Sequence, residues 1–388
     1  MVIYGQKYQN GTDKIMMKKL LNIIKNETVM SVAMVLAVIS AFFVKPDAEY
    51  FNYIDIRTLA LLFCLMAVMA GFGKTGVFKM MAERLLLGIH NTRSLALILV
   101  MLCFFMSMIV TNDVALITFV PFTIVILNMT GNETKNSLII KIVVMQTVAA
   151  NLGSMLTPIG NPQNLYLHGI SGMGVGEFMA MMLPYTALSF LLVTFFVIFG
   201  CKKNEIEINF KSTTSVGDKR RVIIYSLLFI VCLLTVGRVI DYRITFLIVA
   251  SVIAVNDRGI FADVDYTLLL TFAAFFVFIG NMGRISVFHN FLSSVIGGRE
   301  CITAVMSSQI ISNVPAALLL SGFTDNLNPL IIGVNLGGLG TLIASMASLI
   351  SFKFVGREDK SLRGKYLLYF TVVNIVFLAI LFTMYALC

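Results

Sequence analysis

Polar residues interrupt the long apolar stretches of this sequence at four places, and these residues could bind ions. Two interruptions are triplets, at residues 111–113 (Thr-Asn-Asp) and 312–314 (Ser-Asn-Val), and two are longer segments that begin at Asn151 and Asn335. Side-chain oxygens and freed carbonyl oxygens coordinate small cations such as sodium, whereas N–H groups at the start of a helix bind anions. The residue types therefore predict one locus that can hold both kinds of ion.

One acid, Asp113, lies in the middle of an apolar stretch that runs from residue 94 to residue 129. A carboxylate at that depth is costly and by default indicates a function, although it could also simply cap the helix that follows. If it is ionised, it binds a cation or a partner, and if desolvation keeps it neutral, it carries a proton. Both readings predict coupling to a cation. Its counterpart in the second triplet is Val314, so the two half-sites are predicted to differ.

The overall composition is that of a polytopic membrane protein. Hydrophobic residues make up 58% of the 388 residues and charged residues only 13%, and the mean hydropathy is +0.91. A soluble globular domain has roughly twice this share of charged residues. The composition therefore excludes a soluble protein.

Apolar stretches of membrane-spanning length predict an all-α protein with about nine transmembrane helices. They cover residues 28–44, 57–73, 137–168, 179–200, 222–238, 243–256, 266–283, 329–352 and 365–387. Polar segments break two of them, 137–168 and 329–352. The remaining apolar segments, 94–129 and 301–323, contain the triplets and are predicted to be re-entrant helical hairpins. Four further acids lie at predicted helix ends and are expected to be caps: Asp55, Asp241, Asp263 and Asp265.

The basic residues are consistent with this count and give an orientation. With the N-terminus inside and the C-terminus outside, the cytoplasmic segments hold 23 of the 29 Lys and Arg residues, as the positive-inside rule requires. Topology thus explains the net charge of +9, and no nucleic-acid partner is expected. The predicted units are a cytoplasmic segment (1–27), a first repeat (28–200), a basic cytoplasmic linker with a connecting helix (201–242) and a second repeat (243–388).

Three sequence blocks occur twice in the same order, which predicts an internal duplication. Residues 55–78 correspond to 265–288, the first triplet corresponds to the second, and residues 151–164 correspond to 335–348. The last pair shares Asn-Leu-Gly and a Thr two positions before an Ile. Because five predicted crossings separate the starts of the repeats, the second repeat is predicted to be inverted. Inverted repeats are typical of alternating-access transporters, and a channel does not need them.

The duplicated motifs resemble those of the ion transporter superfamily, which includes divalent anion/sodium symporters, citrate-type permeases, arsenite permeases and certain sodium/proton antiporters. The triplets are similar to the paired Ser-Asn-Thr hairpin tips of the dicarboxylate symporters. Residues 151–164 are similar to their Asn-x-Gly-Gly and Thr-x-Ile-Gly-Thr-Pro-Pro-Asn loop. The resemblance extends from about Ile54 to Phe382. It implies a homodimer in which a hairpin-bearing transport domain moves like an elevator against a scaffold.

The resemblance and the polar interruptions together give the candidate binding residues. One cation site is expected to contain Thr111, Asn112, Asp113, Asn151, Gly153 and Gly160, and a symmetric one Ser312, Asn313, Asn335 and Gly337. Substrate is expected between the two tips, at Asn112, Asp113, Thr157, Asn161, Asn313 and Thr341. Asp113 and Val314 stand where the symporters have a Thr that helps to hold a substrate carboxylate. The second loop has Met346 in place of Pro162, which puts the second cation site in question.

The leading hypothesis is a sodium- or proton-coupled secondary transporter of a small organic or inorganic anion in the cytoplasmic membrane. The alternatives are efflux of a metalloid such as arsenite or antimonite, and sodium/proton exchange at Asp113. An intramembrane enzyme is not favoured, because Asp113 is the single acid placed at depth and the three histidines, His90, His168 and His289, lack metal-ligand spacing. No cofactor is expected besides the coupling ion. The expected partners are the substrate, membrane lipid and a second copy of the chain.

Overall fold

The protein is helical throughout the part of the chain that the structure describes. The computed structural model describes residues 27–129, 135–206 and 218–387, which contain eighteen α-helices, one 3₁₀ helix and no β-strand. The all-α prediction is therefore confirmed for these ranges. The predicted N-terminal segment, apart from its last residue, and residues 207–217 of the predicted linker lie outside the described residues.

Nine helices lie in the described residues before position 207. They are α1 (Thr28–Phe43), α2 (Tyr50–Tyr53), α3 (Ile56–Thr75), α4 (Val77–Leu86), α5 (Thr92–Val110), α6 (Asn112–Met129), α7 (Lys135–Ser154), α8 (Pro162–Ser171) and α9 (Val175–Gly200). Residues 155–161 between α7 and α8 are not helical. We call them the first interrupted segment.

The described residues after position 217 form nine more α-helices and the 3₁₀ helix. They are α10 (Lys219–Val236), α11 (Tyr242–Asn256), the 3₁₀ helix (Arg258–Asp263), α12 (Tyr266–Gly283), α13 (Ser286–Ile296), α14 (Glu300–Ile311), α15 (Asn313–Ser321), α16 (Leu327–Leu336), α17 (Met346–Glu358) and α18 (Leu362–Leu387). Residues 337–345 between α16 and α17 are the second interrupted segment.

Seven helices of the described ranges are long and apolar enough to cross a membrane, as expected of a multi-pass membrane protein. They are α3, α5, α6, α7, α9, α12 and α18. Helices α1 and α11 have 16 and 15 residues, and the predicted nine crossings stay a prediction. The two predicted hairpins differ in size: α5 and α6, the first hairpin, have 19 and 18 residues, whereas α14 and α15, the second hairpin, have 12 and 9.

Helix α7 lies at the centre of the fold. Of its membrane-spanning window, 89% is buried inside the protein, and it contacts α5, α6, α9, α17 and α18. Its close approach to α5 depends on Gly153, because a Cβ atom there would lie 2.0 Å from the carbonyl oxygen of Phe104 and 2.7 Å from Ser107 Oγ. Within a membrane, helices associate largely through such close packing of small residues.

Three of the four acids predicted to be helix caps have that role. The carboxylates of Asp55, Asp241 and Asp265 accept hydrogen bonds from the first-turn N–H groups of α3, α11 and α12. The prediction for Asp263 is wrong. This residue ends the 3₁₀ helix, and its carboxylate forms an ion pair with Lys74 Nζ at 2.6 Å. The contact joins residues almost 190 positions apart, which the local pattern of a helix end could not indicate.

Two ion pairs connect the C-terminal ends of α3 and α12 to distant segments: the end of α3 to the 3₁₀ helix, and the end of α12 to the loop before α2. Lys74, at the end of α3, contacts Asp263, and Arg284, just after α12, contacts Asp47 at 2.7 Å. The Arg284 guanidinium holds the pKa of Asp47 below its usual range. All four side chains are about two-fifths exposed, so the Lys74 pair contributes less than about 1 kcal/mol to stability. Its location suggests that it orients α3 rather than stabilises the fold.

We predict that Gly153→Ala destabilises the protein, because the new methyl group would overlap the α5 backbone and force α7 and α5 apart. Overpacking of this kind costs roughly 1–3 kcal/mol. Gly176→Ala, in the first turn of α9, is the matched control because a Cβ atom there meets nothing within 4 Å. Thermal unfolding of the two purified variants in detergent measures the difference. Equal midpoints would contradict the close α7–α5 contact.

Candidate functional site

The two hairpin tips have the same unusual backbone conformation. Thr111 has φ 76° and ψ 150°, and Ser312 has φ 73° and ψ 155°. Residues with a side chain rarely adopt this conformation, which costs of order 1–3 kcal/mol and is found mainly at functional sites. Each tip is tied to an interrupted segment by a backbone hydrogen bond: Asn112 N donates to Gly160 O at 3.1 Å, and Asn313 N donates to Ala344 O at 2.9 Å.

Asn151, at the end of α7, joins the first hairpin to the second interrupted segment. Its Oδ1 accepts hydrogen bonds from Asn112 Nδ2 and from Ser345 Oγ, both at 3.1 Å. Its Nδ2 donates to Gly338 O at 3.4 Å. Asn112, Asn151 and Ser345 are all buried. Two predicted cation ligands, Asn112 and Asn151, are thus brought together.

Asn335 makes the corresponding connection between α16 and the start of α8. Its Nδ2 donates to Asn164 Oδ1 at 2.7 Å, and its Oδ1 accepts a hydrogen bond from Asn161 Nδ2 at 3.2 Å. Asn161 Nδ2 also lies 3.3 Å from Ser154 Oγ. Each asparagine amide is therefore used as donor and acceptor at once. The buried network interlocks the two interrupted segments and leaves few of their polar groups unpaired.

The two threonines predicted to bind substrate both hold an interrupted segment against a hairpin. Thr157 Oγ1 donates to Met108 O at 2.5 Å, and Thr341 Oγ1 donates to Gln309 O at 3.1 Å. Thr157 is half-buried and Thr341 is exposed. Their role as substrate ligands stays a prediction, but the structure gives both hydroxyl groups a structural partner.

The glycines predicted as cation ligands lie where a side chain would not fit. A Cβ atom at Gly337 would lie 2.5 Å from Ser308 Oγ, and one at Gly160 would lie 2.1 Å from Ser154 O. Gly337 thus meets Ser308 much as Gly153 meets Ser107, with the serine one helical turn before the hairpin tip in each case. Close packing alone accounts for these glycines, and coordination by their carbonyl oxygens stays a prediction.

A cavity of about 440 Å³ opens beside the first hairpin tip. It lies between α3, α6, the start of α8 and the 3₁₀ helix, and three of the predicted site residues line it: Thr111, Asp113 and Asn161. Asp113 Oδ1 is buried and has no hydrogen-bond partner among the described residues. A buried carboxylate without a partner is strongly disfavoured as an anion. The unpartnered oxygen of Asp113 is therefore a candidate site for a proton or a cation.

The charged residues around this cavity single out Asp113. The other acids that line it are Asp263, which pairs with Lys74, and Asp265, which caps α12. Lys74 is the one basic side chain that lines the cavity. The cavity therefore combines an acid with an unpartnered oxygen, Asp113, and a basic side chain, Lys74, whose ion-pair partner Asp263 is partly exposed. Such a combination can bind a small cation and a small anion side by side.

The second hairpin tip is closed. Ser312, Asn313 and Val314 are 2%, 4% and 6% exposed, and none of them lines the cavity beside Asp113. The first tip is more open, since Thr111 and Asp113 are only partly buried as whole residues. The cavity therefore adjoins the first tip alone, and a substrate position between the two tips stays a prediction.

Sequence reasoning missed several residues of the site. Lys74 lies in the first duplicated block, but no sequence pattern indicates that it lines the same cavity as Asp113. Asn164 and Ser345 were part of the aligned loops, and Gln309 lies in an apolar helix three residues before the second triplet. The spacing of two serines could have helped to find the site. Ser107 and Ser308 each lie four residues before the first residue of a triplet, and residues four positions apart lie on the same face of a helix.

Comparison with known proteins identifies the family of the chain. Residues 14–329 match the family model described as citrate transporter. The chain is 33% identical over 333 residues to an uncharacterized transporter of Methanocaldococcus jannaschii, covering 86% of this chain and 90% of that protein. It is 29% identical over 320 residues to the inner membrane protein YbiR of Escherichia coli, covering 81% of this chain and 84% of that protein.

We predict that Thr111→Gly leaves the protein as stable as the wild type or about 1 kcal/mol more stable, because glycine adopts the positive φ of this position without strain. Thr383→Gly is the matched control. That threonine is exposed in the ordinary helix α18, where glycine costs roughly 0.5–1 kcal/mol. Thermal unfolding in detergent compares the two. A larger loss of stability at position 111 than at position 383 would contradict the strained tip.

Proposed function

The chain belongs to the citrate transporter family, and from this premise we propose that it is a cation-coupled secondary active transporter of a small anion in the cytoplasmic membrane. It is a multi-pass membrane transporter and not an enzyme. The observation that carries the proposal is Asp113, a partly buried residue at the wall of a cavity, one carboxylate oxygen of which is buried without a partner among the described residues. Sodium or a proton at Asp113 is the proposed coupling ion.

The proposed coupling follows from the cost of an unpaired charge. When Asp113 is empty and ionised, movement through the membrane carries a bare carboxylate, which is energetically expensive. When a cation or proton is bound, the charge is neutralised and the movement becomes possible. The proposed further oxygen ligands near the tip are the Asn112 amide and the freed backbone carbonyls of the first interrupted segment. Asn151 Oδ1, which accepts two hydrogen bonds in this structure, is proposed to join them by giving up one of these bonds. We propose that these groups form the first cation site together with Asp113.

The anion is proposed to bind between the first turn of α6 and Lys74. The dipole of a helix attracts negative charge to the N-terminus, and Lys74 adds a positive charge that is proposed to leave Asp263 when the anion binds. The cavity of about 440 Å³ lies at the lower end of the range for small-molecule sites. The proposed substrate is therefore a small organic or inorganic anion.

We further propose that the two halves are inverted repeats that work by alternating access, with an elevator-like movement in a homodimer. Several paired features support this: the equal conformations of the two tips, the matching tip-to-segment hydrogen bonds, and the ion pairs of Lys74 and Arg284 at corresponding helix ends. The first tip lines the cavity of about 440 Å³, and the second tip does not. In the opposite state, the second tip is proposed to open instead. The proposed orientation, from the distribution of Lys and Arg, has the N-terminus inside and the C-terminus outside.

A second candidate function is cation exchange without an anion, or efflux of a neutral metalloid. The charge around the cavity favours it, because three acids and one base line the wall. In that case Asp113 is the exchange site, and Lys74 serves only to hold Asp263. Dependence of transport on an added anion distinguishes the two candidates.

We predict that Asp113→Asn abolishes gradient-driven uptake. Protein in liposomes is given an inward sodium or proton gradient, and the uptake of labelled anions from a broad panel is measured. Asp241→Asn is the matched control, since Asp241 is an exposed helix cap outside the cavity and asparagine caps equally well. Unchanged uptake in Asp113→Asn would remove the basis of the proposal. Uptake of no anion by the wild type would favour exchange.

We predict that Lys74→Gln raises the KM for the transported anion at least tenfold, because it removes the one basic side chain of the cavity. Its thermal midpoint should change little, since the exposed ion pair contributes under about 1 kcal/mol. Asp263→Asn breaks the same ion pair but leaves the positive charge, and it should keep or lower the KM. If both variants raised the KM equally, the ion pair and not the Lys74 charge would be the important feature.

A further inference from the structure

One side chain, Gln309 of the second hairpin, fastens the second interrupted segment. Its Nε2 donates to two carbonyl oxygens of the segment, Gly337 O at 3.1 Å and Leu339 O at 2.9 Å, and also lies 3.1 Å from Val305 O of its own helix. Its Oε1 accepts from Thr341 N at 2.8 Å. The N–H group of Thr341 can bind only the amide oxygen, so the amide nitrogen must face the two carbonyl groups. The orientation of the side chain is thereby determined.

The two carbonyl groups are of the kind that a cation would otherwise coordinate. Helix α16 ends at Leu336, and carbonyl groups at and beyond a helix end lack a helical partner. Gly337 was itself predicted as a cation ligand. Gly340 has φ 110°, and a Cβ atom there would lie 2.2 Å from Gln309 Oε1. The segment is therefore shaped to accept the glutamine side chain at this position.

The first interrupted segment is fastened differently. Met108 occupies the position that corresponds to Gln309 and has no hydrogen to donate. Asn164 Nδ2 approaches three carbonyl oxygens instead, those of Ser154 and Met155 at 3.4 Å and that of Thr157 at 3.3 Å, all longer than the contacts of Gln309. The first half also has the uncommitted carboxylate of Asp113. It thus offers weakly held oxygen atoms together with a negative charge.

The second half lacks each of these features. Val314 replaces Asp113, and Ser348 replaces Asn164, with a buried hydroxyl that has no partner among the described residues. The neutral amide of Gln309 donates hydrogen bonds of ordinary length to the carbonyl oxygens of Gly337 and Leu339. It satisfies them without the help of a cation.

We propose that the Gln309 amide occupies the second half-site in place of a cation, so that each protomer binds one coupling cation, at Asp113. This inference rests on the cation coupling proposed above and specifies its stoichiometry. One cation per cycle makes the transport of a monovalent anion electrically neutral. The duplicated site thus has one half that binds the ion and one half that is closed by its own side chain.

Equilibrium binding of radioactive sodium to the full-length purified protein at alkaline pH tests the count. We expect one sodium ion per protomer in the wild type and none in Asp113→Asn. Two sodium ions in the wild type, with one remaining in Asp113→Asn, would overturn the inference and leave the proposed function standing. No sodium in the wild type, together with a thermal midpoint independent of both sodium and pH, would instead contradict cation coupling itself.

Gln309→Glu tests the role of the amide directly, because it keeps the shape of the side chain but directs a carboxylate at two carbonyl oxygens. We expect its thermal midpoint in N-methylglucamine chloride at pH 8 to fall, and to recover when sodium chloride or acid is added. The double variant with Asp113→Asn should regain one bound sodium ion. These responses are measured in the Asp113→Asn background, which removes the response of Asp113 itself. Gln309→Met in that background copies Met108, adds no charge and is the control, and its midpoint should respond to neither sodium nor acid. A Gln309→Glu midpoint that is insensitive to sodium and acid in that background would overturn the assignment.

Discussion

The structure depends on one constraint: backbone groups released from a helix inside a membrane have no water to bond with and must find partners in the protein. The two interrupted segments place many such groups at the centre of the molecule. Asparagine amides satisfy them, since one amide can donate and accept at the same time. Because Asn151 and Asn335 each reach across to the other half of the chain, the same bonds that satisfy the backbone also hold the halves together.

Asp113 gains its importance from this nearly complete pairing. Most polar groups around it have partners, whereas one of its own oxygens is buried without a partner among the described residues. An ion or proton bound at Asp113 changes the charge of a region in which the neighbouring asparagine amides are neutral. The second half, with Val314 and Gln309 at the comparable places, cannot respond in the same way. A duplicated fold can thus have a single coupling site.

The local features of the site were predictable from sequence, whereas its long-range contacts were not. Polar residues within apolar stretches marked the tips at Asn112 and Asn313, and glycine and proline marked the interrupted segments. No local pattern could predict the contact of Lys74 with Asp263 or that of Ser345 with Asn151, because the residues of each pair are about 190 positions apart in the sequence. Gln309 was overlooked because a single amide in an apolar helix is usually a contact between helices.

The most direct test of the account is the thermal stability of the purified protein as a function of sodium and pH, because any ligand that binds the folded state raises the unfolding midpoint. The account predicts that the midpoint rises with sodium or with acid in the wild type, and that Asp113→Asn is insensitive to both. The same dependence in the wild type and in Asp113→Asn would show that the cation binds elsewhere, and would contradict the central role of Asp113.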